Sequence, residues 1–222
     1  DFEPNAEWKG FLEMLAGQTA IAVDNAGLYR ELLQANNELL LSYNATLESW
    51  VETLDIRNQQ EGHSRRMADL TLKLARGMGI HGEDLQHIYR GALLHDIGAI
   101  YIPEEILTKK APLTDQDWDV IRQHPVWSYK LLSKVAYLRL ALDIPYCHHE
   151  RWDGSGYPRG LKGEEIPFAA RIFAVADVWG ALRTDRPYRE GWLDADARDY
   201  LQQHSGVLFD PIVVENFLNL LL

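Results

Sequence analysis

The chain of 222 residues has a single cysteine, Cys147, and an excess of acidic over basic side chains, with 33 Asp+Glu against 22 Lys+Arg. It also lacks any apolar run approaching the roughly 18 residues that span a bilayer. One cysteine excludes an intrachain disulfide framework and a thiolate-based zinc site, and it fits a reducing cytosol, so a cytoplasmic location is expected. The net charge of −11 argues against a nucleic-acid polymer or a membrane surface as partner, because both require a positive face. A small anionic ligand stays compatible, since bound cations and a few placed arginines set the potential inside a cleft. Nine prolines and 16 glycines are too few for a low-complexity chain. They gather between Gly154 and Pro167, which reads as a loop. The opening Asp1-Phe2-Glu3-Pro4 resembles neither a signal peptide nor an initiation site, so the sequence is expected to be part of a longer protein.

What remains is an ordinary globular composition, 46% hydrophobic and 25% charged, sufficient for one or two domains with a sizeable core. From Trp8 to Leu54 apolar residues recur at spacings of three and four, through Leu12, Leu15, Ala22, Ala26, Tyr29, Leu33, Leu40, Tyr43, Leu47 and Trp50. Such a stripe predicts a long helix that pairs with a second copy in a parallel homodimer, with Asn36 on the seam fixing the register. Shorter helical patterns follow over His63–Met78, Glu83–His95, Thr114–Ile121, Pro125–Ser133, Ala136–His149, Ala169–Leu182, Asp194–His204 and Pro211–Leu221. Thr114-Asp115-Gln116-Asp117 has the form of a helix start. Strand-like alternation is almost absent, so the fold class is all-α.

The chemistry sits in histidines that arrive with carboxylates. They are His95-Asp96 and His148-His149-Glu150, with His63, His124 and Asp177 elsewhere. Imidazole and carboxylate without thiolate suit iron, manganese or zinc. Adjacent ligands on a helix diverge by roughly 100°, which favours two neighbouring ions over one. His81, His87 and His204 stand outside this pattern and read as ordinary packed or surface residues.

At His95-Asp96-Ile97-Gly98 the chain resembles the HD superfamily of metal-dependent phosphohydrolases. At His148-His149-Glu150-Arg151-Trp152-Asp153-Gly154-Ser155-Gly156-Tyr157-Pro158 it is similar to the HD-GYP family. Gly62-His63-Ser64-Arg65-Arg66, Leu113-Thr114 with His124-Pro125, Ala174-Val175-Ala176-Asp177-Val178 and Asp185-Arg186-Pro187-Tyr188-Arg189 match further blocks of that family. The resemblance covers about residues 54–222, the expected HD-GYP domain. It implies a helical bundle that hydrolyses cyclic di-GMP to its linear dinucleotide or to GMP, through a metal-activated hydroxide. The implied ligands are His63, His95, Asp96, His124, His148, His149 and Asp177, with Asp96 bridging. Relatives with a third ion have Glu four residues before the first His; here that position is Gln59, so a binuclear centre of Fe or Mn is expected. Arg186 and Arg189 match phosphate-contacting residues. Tyr157 packs the glycine loop or stacks on guanine.

Two charged positions of the family are missing. Ala99 stands where lysine usually follows the HD block, and Gly180 where aspartate usually follows Asp177. Loss of a preorganised charge typically costs about 10²–10³ in rate. The alternative to an active phosphodiesterase is therefore a module that binds cyclic di-GMP and signals to partners. Lys109, Lys110 or Arg183 are cations available for compensation, and a superfamily hydrolase acting on another nucleotide is a third reading. Residues 1–53 resemble the last helix of a GAF sensor domain continuing into a signalling helix, the match being densest over Leu15–Ala26.

Overall fold

The computed structural model describes residues 5–58, 61–185 and 190–221. The expected stripe forms one helix, α1, Ala6–Arg57. The chain divides into two compact units, Asp1–Glu48 and Ser49–Leu222, and α1 runs through both. In the first unit Trp8, Leu12, Leu15, Tyr29, Leu33 and Tyr43 of the stripe are all exposed. No helix among the described residues is long and apolar enough to cross a membrane.

The second unit follows α1 with α2 (His63–Gly77), α3 (Glu83–Leu93), a 3-10 turn (Ile97–Tyr101), α4 (Glu104–Leu107), α5 (Asp115–Ile121) and α6 (His124–Leu132). A second 3-10 turn (Ala136–Ala141), α7 (Asp143–Cys147), a third 3-10 turn (Gly163–Glu165), α8 (Phe168–Arg183), α9 (Asp194–Gln203) and α10 (Pro211–Leu220) complete it. No strand occurs among the described residues; one β-bridge joins Ser205 and Phe209. The all-α expectation holds.

Helix α8 is the centre of this unit. It is apolar on nearly every side, as a helix enclosed by others must be, and Ala170, Ile172, Phe173, Val175 and Ala176 are completely buried. Helices α2, α7, α9 and α10 pack on it, and α3 packs on α2 and α7. Thr114 caps α5 in a reciprocal box with Asp117, and Asp210 caps α10 by accepting from the Ile212 amide at 2.8 Å.

The single helix expected over Ala136–His149 is not formed. It is a 3-10 turn followed by the short α7, and the break falls at Leu142. Pro145 explains it, because a proline ring in a helix clashes with the carbonyl four residues earlier and leaves it without a donor. The helix expected to reach His95 also stops early, at Leu93. Both His95-Asp96 and His148-His149 therefore lie in the turns just past a helix end rather than on a helix. The 100° argument for their divergence does not apply, and their directions are set by the turns.

Candidate metal centre and ligand cleft

Each side chain of the cluster is placed by a local device. His63 opens α2, and the buried Asp55 carboxylate fixes that start by accepting from the Ser64 amide (3.0 Å) and hydroxyl (2.6 Å). The His95-Asp96 turn is pressed onto α6 through Gly98. A Cβ at Gly98 would lie 2.1 Å from the His124 carbonyl oxygen and 2.6 Å from the Ser128 nitrogen, so only glycine permits the approach. In return the Gly98 amide donates to Ser128 Oγ at 2.9 Å. This contact brings Asp96 against His124, the first residue of α6. Asp177 projects from the middle of α8 toward His63, 3.6 Å away.

The histidines are also fixed in tautomer. Nδ1 of His95 donates to the Ala92 carbonyl (2.8 Å), Nδ1 of His124 to that of Ile121 (2.7 Å) and Nδ1 of His148 to that of Ile144 (3.0 Å). A carbonyl only accepts, so Nδ1 carries a hydrogen in each ring, and in the neutral ring the Nε2 lone pair faces the centre. Phe173 forms the floor beneath, with its ring centroid 4.8 Å from that of His95 and 5.9 Å from that of His148.

The side chains fall into two groups suited to a metal ion, Asp96 with His124, His148 and His149, and His63 with His95 and Asp177. In the first group His124 Nε2 and His148 Nε2 are 3.2 Å apart, and Asp96 Oδ1 lies 3.2 Å from one and 3.5 Å from the other. Two lone pairs and a carboxylate oxygen converge there with no donor between them, an arrangement that fits a cation. The other oxygen of Asp96, Oδ2, faces His95 Nε2 at 3.4 Å. All seven residues named as ligands from the sequence are thus in one place. A divalent metal fits the donor set.

The electrostatics of the metal-free cluster agree. Burial would raise the Asp96 carboxyl, but the charge on His95, with the rings of His124 and His148 close by, holds it well below the usual carboxylate range. Burial likewise works against ionisation of Asp177, and His63 and His95 bring it down to about 2. His95 is pushed down by burial and up more strongly by Asp96, reaching about 9. Burial lowers His148, and burial with the neighbouring His148 and His124 lowers His149 further. The carboxylates are ionised and His148 and His149 are neutral, the protonation states that ligands need, while His95 has a proton to lose before it can ligate.

A cleft of about 440 Å³ opens onto this cluster, lined by Asp96, His63, His124, His149, Tyr157 and Arg57 among others. The glycine loop closes one side. Its chain turns back so tightly that a Cβ on Gly156 would lie 2.3 Å from the Arg151 nitrogen, and the Tyr157 amide donates to the His149 carbonyl at 3.1 Å. The Tyr157 ring stacks on His149 with centroids 4.7 Å apart. Glu150, adjacent in sequence to two ligands, turns away and is buried, accepting from the amides of Arg159 (2.8 Å) and Leu161 (3.0 Å) to staple the loop. Arg186, Arg189 and Gln59 lie outside the described residues. The suggested compensating cations are engaged elsewhere: Lys109 pairs with Asp117, Arg183 donates to the Trp192 carbonyl, and neither of these nor Lys110 lines the cleft. Sequence reading missed Asp55, Phe173 and Arg57. For Phe173 the apolar run of α8 was visible, but which ring supports the cluster was not.

The HD domain profile matches residues 28–213, and the chain belongs to that family. It is 36% identical over 219 residues to the cyclic di-GMP phosphodiesterase response regulator RpfG of Xanthomonas campestris pv. campestris, covering 97% of this chain and 58% of that protein. It is 33% identical over 207 residues to the 3'3'-cGAMP-specific phosphodiesterase 2 of Vibrio cholerae, covering 92% of this chain and 38% of that one. Among solved structures, the HDG"Y"P protein Bd1817 of Bdellovibrio bacteriovorus has the same fold, with a TM-score of 0.59 at 24% identity over 72% of this chain and 51% of that one. The chain spans just over half, or less, of the length of these curated relatives.

Proposed function

We propose that the chain is a metal-dependent phosphodiesterase acting on cyclic di-GMP at a centre of two divalent ions, iron or manganese. The observation that carries this reading is the position of Asp96, with Oδ1 toward His124 and His148 and Oδ2 toward His95, as a carboxylate shared by two ions would stand. Asp96, His124, His148 and His149 would hold one ion, and His63, His95 and Asp177 the other. When bound, such ions supply Lewis acidity toward a phosphoryl oxygen and lower the pKa of water. The protein's own residues keep the imidazoles in the ligating tautomer, and Phe173 closes the floor to water. The Tyr157 ring is spoken for by His149 on one face, so its first role is to hold the loop and its second to offer an edge to a base. Arg186 and Arg189 would contact phosphate. The names of the Xanthomonas and Vibrio relatives support a cyclic dinucleotide as substrate class, and the intact glycine loop favours cyclic di-GMP.

The test is turnover of cyclic di-GMP by protein loaded anaerobically with iron or manganese, with products separated by chromatography. Multiple turnovers to the linear dinucleotide or GMP are expected. Consumption of 3'3'-cGAMP or another nucleotide with cyclic di-GMP untouched would transfer the reading to that substrate.

A second reading, a binding module that signals ligand occupancy, is favoured by one observation. A Cβ at Gly180 would lie 2.3 Å from both Cε and Sδ of Met67, so the space of the missing aspartate is already filled. A filled metal site with ligand binding and no turnover would decide for it.

Residues 1–53 are read as the end of a GAF-like domain and a signalling helix, and 54–222 as the HD-GYP domain, in a cytoplasmic protein. The exposed apolar stripe of α1 supports a homodimer. Leu40→Asp should halve the mass in light scattering; an unchanged mass would remove the stripe as the interface.

A further inference from the structure

A phosphodiester ligand is anionic, yet the cleft is lined by Asp96 and Asp185 and by imidazoles that ions would occupy. Among its described lining residues, Arg57 and Arg66 carry permanent positive charge. Arg66 is turned to the chain's own backbone, with Nη1 donating to the Glu61 carbonyl at 3.0 Å. Arg57 is placed differently. It is the last residue of α1, and its guanidinium donates from Nη1 to the Ala99 carbonyl (3.1 Å) and from Nη2 to the Ile102 carbonyl (2.8 Å). Both carbonyls belong to the 3-10 turn and its end, directly after Asp96. The fork is thereby held along one side by backbone, in the cleft that Asp96 also lines. Its remaining N–H groups are available to an anion in the cleft, and a guanidinium already fixed in place loses little freedom on binding one.

We infer that Arg57 is the cationic subsite for the ligand's phosphodiester, an inference that rests on the phosphodiesterase reading above. The end of α1 is then part of the ligand site. Ala99 lines the same cleft, next to the guanidinium that its carbonyl holds, so a lysine at 99 would place an ammonium in the same region.

The test uses Arg57→Gln, which retains an amide to donate to the carbonyls and removes the charge, and the double variant Arg57→Gln/Ala99→Lys. Binding is titrated with a hydrolysis-resistant phosphorothioate of cyclic di-GMP and, separately, with a dithymidine phosphodiester that has no guanine; metal content and melting are followed in parallel. Arg57→Gln should bind the analogue about tenfold or more weakly, as expected for loss of a charge-assisted pair, with metal content and melting unchanged. The double variant should recover most of that loss. Binding by Arg57→Gln within twofold of the parent, or a loss that Ala99→Lys does not repair, would overturn the inference and leave Arg57 as a backbone tether. If the parent ignores the cyclic di-GMP analogue but binds the dithymidine phosphodiester through Arg57, the substrate reading fails and the subsite stands. Binding of neither ligand overturns both.

Discussion

The two halves of the ligand cluster are built on different principles. Around Oδ1 of Asp96, His124 and His148 crowd their lone pairs to 3.2 Å, and the His148 and His149 rings are 4.1 Å apart. All four residues of this half come from turns or from the first residue of a helix, and they are held by carbonyls and by the Gly98 contact. In the other, helix-borne half His95 comes from a turn and His63 from the first residue of α2, while Asp177 projects from the middle of α8, which packs on α2. Its spacing is looser, with 3.6 Å between His63 and Asp177 and 5.7 Å between the His63 and His95 rings. The crowded half is strained without a cation, because converging acceptors repel. The helix-borne half brings its donors less close together. The crowded half should therefore bind its ion first and more tightly.

The largest effect should come from removing what the halves share. Asp96→Ala deprives both of a carboxylate and should lower metal content by plasma mass spectrometry to below one ion per chain, with turnover abolished. Full retention of two ions would disprove a shared ligand. Next in size are single losses on either side. In titrations of chelated protein, His148→Ala should remove the tighter of two binding steps and His63→Ala the weaker, each by a factor of about 10–100 or more. If both variants lose the same step, the halves are not independent sites.

Much of this cluster was legible in the sequence, and the reasons are local. Residue types and their order name the ligand set, and the capping pattern at Thr114-Asp117 and the apolar period of α2 mark helices directly. The division into halves was not legible. It depends on which turn meets which helix, and the contact of Gly98 with Ser128 joins residues 30 positions apart. The Ala136–His149 helix failed on a signal that was present, Pro145, because apolar spacing was given more weight than the missing amide. The role of Arg57 was hidden for the same reason as the Gly98 contact, since Ala99 lies 42 residues away. Glu150 shows the opposite error to guard against. Adjacency to two ligands made it look like chemistry, while its carboxylate is used to hold backbone.

Phe173 packs against a ring of each half, and it is completely buried. Phe173→Ala should cost about 3–5 kcal/mol of stability from the lost contacts and the cavity. It should also weaken both ions, because the rings of His95 and His148 lose their floor. Denaturation with and without chelator checks this, and a variant that weakens only one binding step would show that the floor serves only one half.

The smallest effect is the most diagnostic of charge. In metal-free protein His95 is raised to about 9, so the stability it contributes is complete below its ordinary value of 6.5 and is lost as the pH rises toward 9. His148 and His149 are lowered, so their contribution is present above 6.5 and falls away as the pH drops below it. Chelated protein should therefore be most stable near pH 6.5 as far as these groups are concerned. An ion can take His95 only after its proton leaves, so the stabilisation by manganese should grow between pH 6.5 and 9 while the chelated protein weakens. Melting curves across that range with chelator and with manganese should diverge. Parallel curves would mean that His95 keeps its proton in the loaded protein, leaving the helix-borne half with His63 and Asp177 as its ligands.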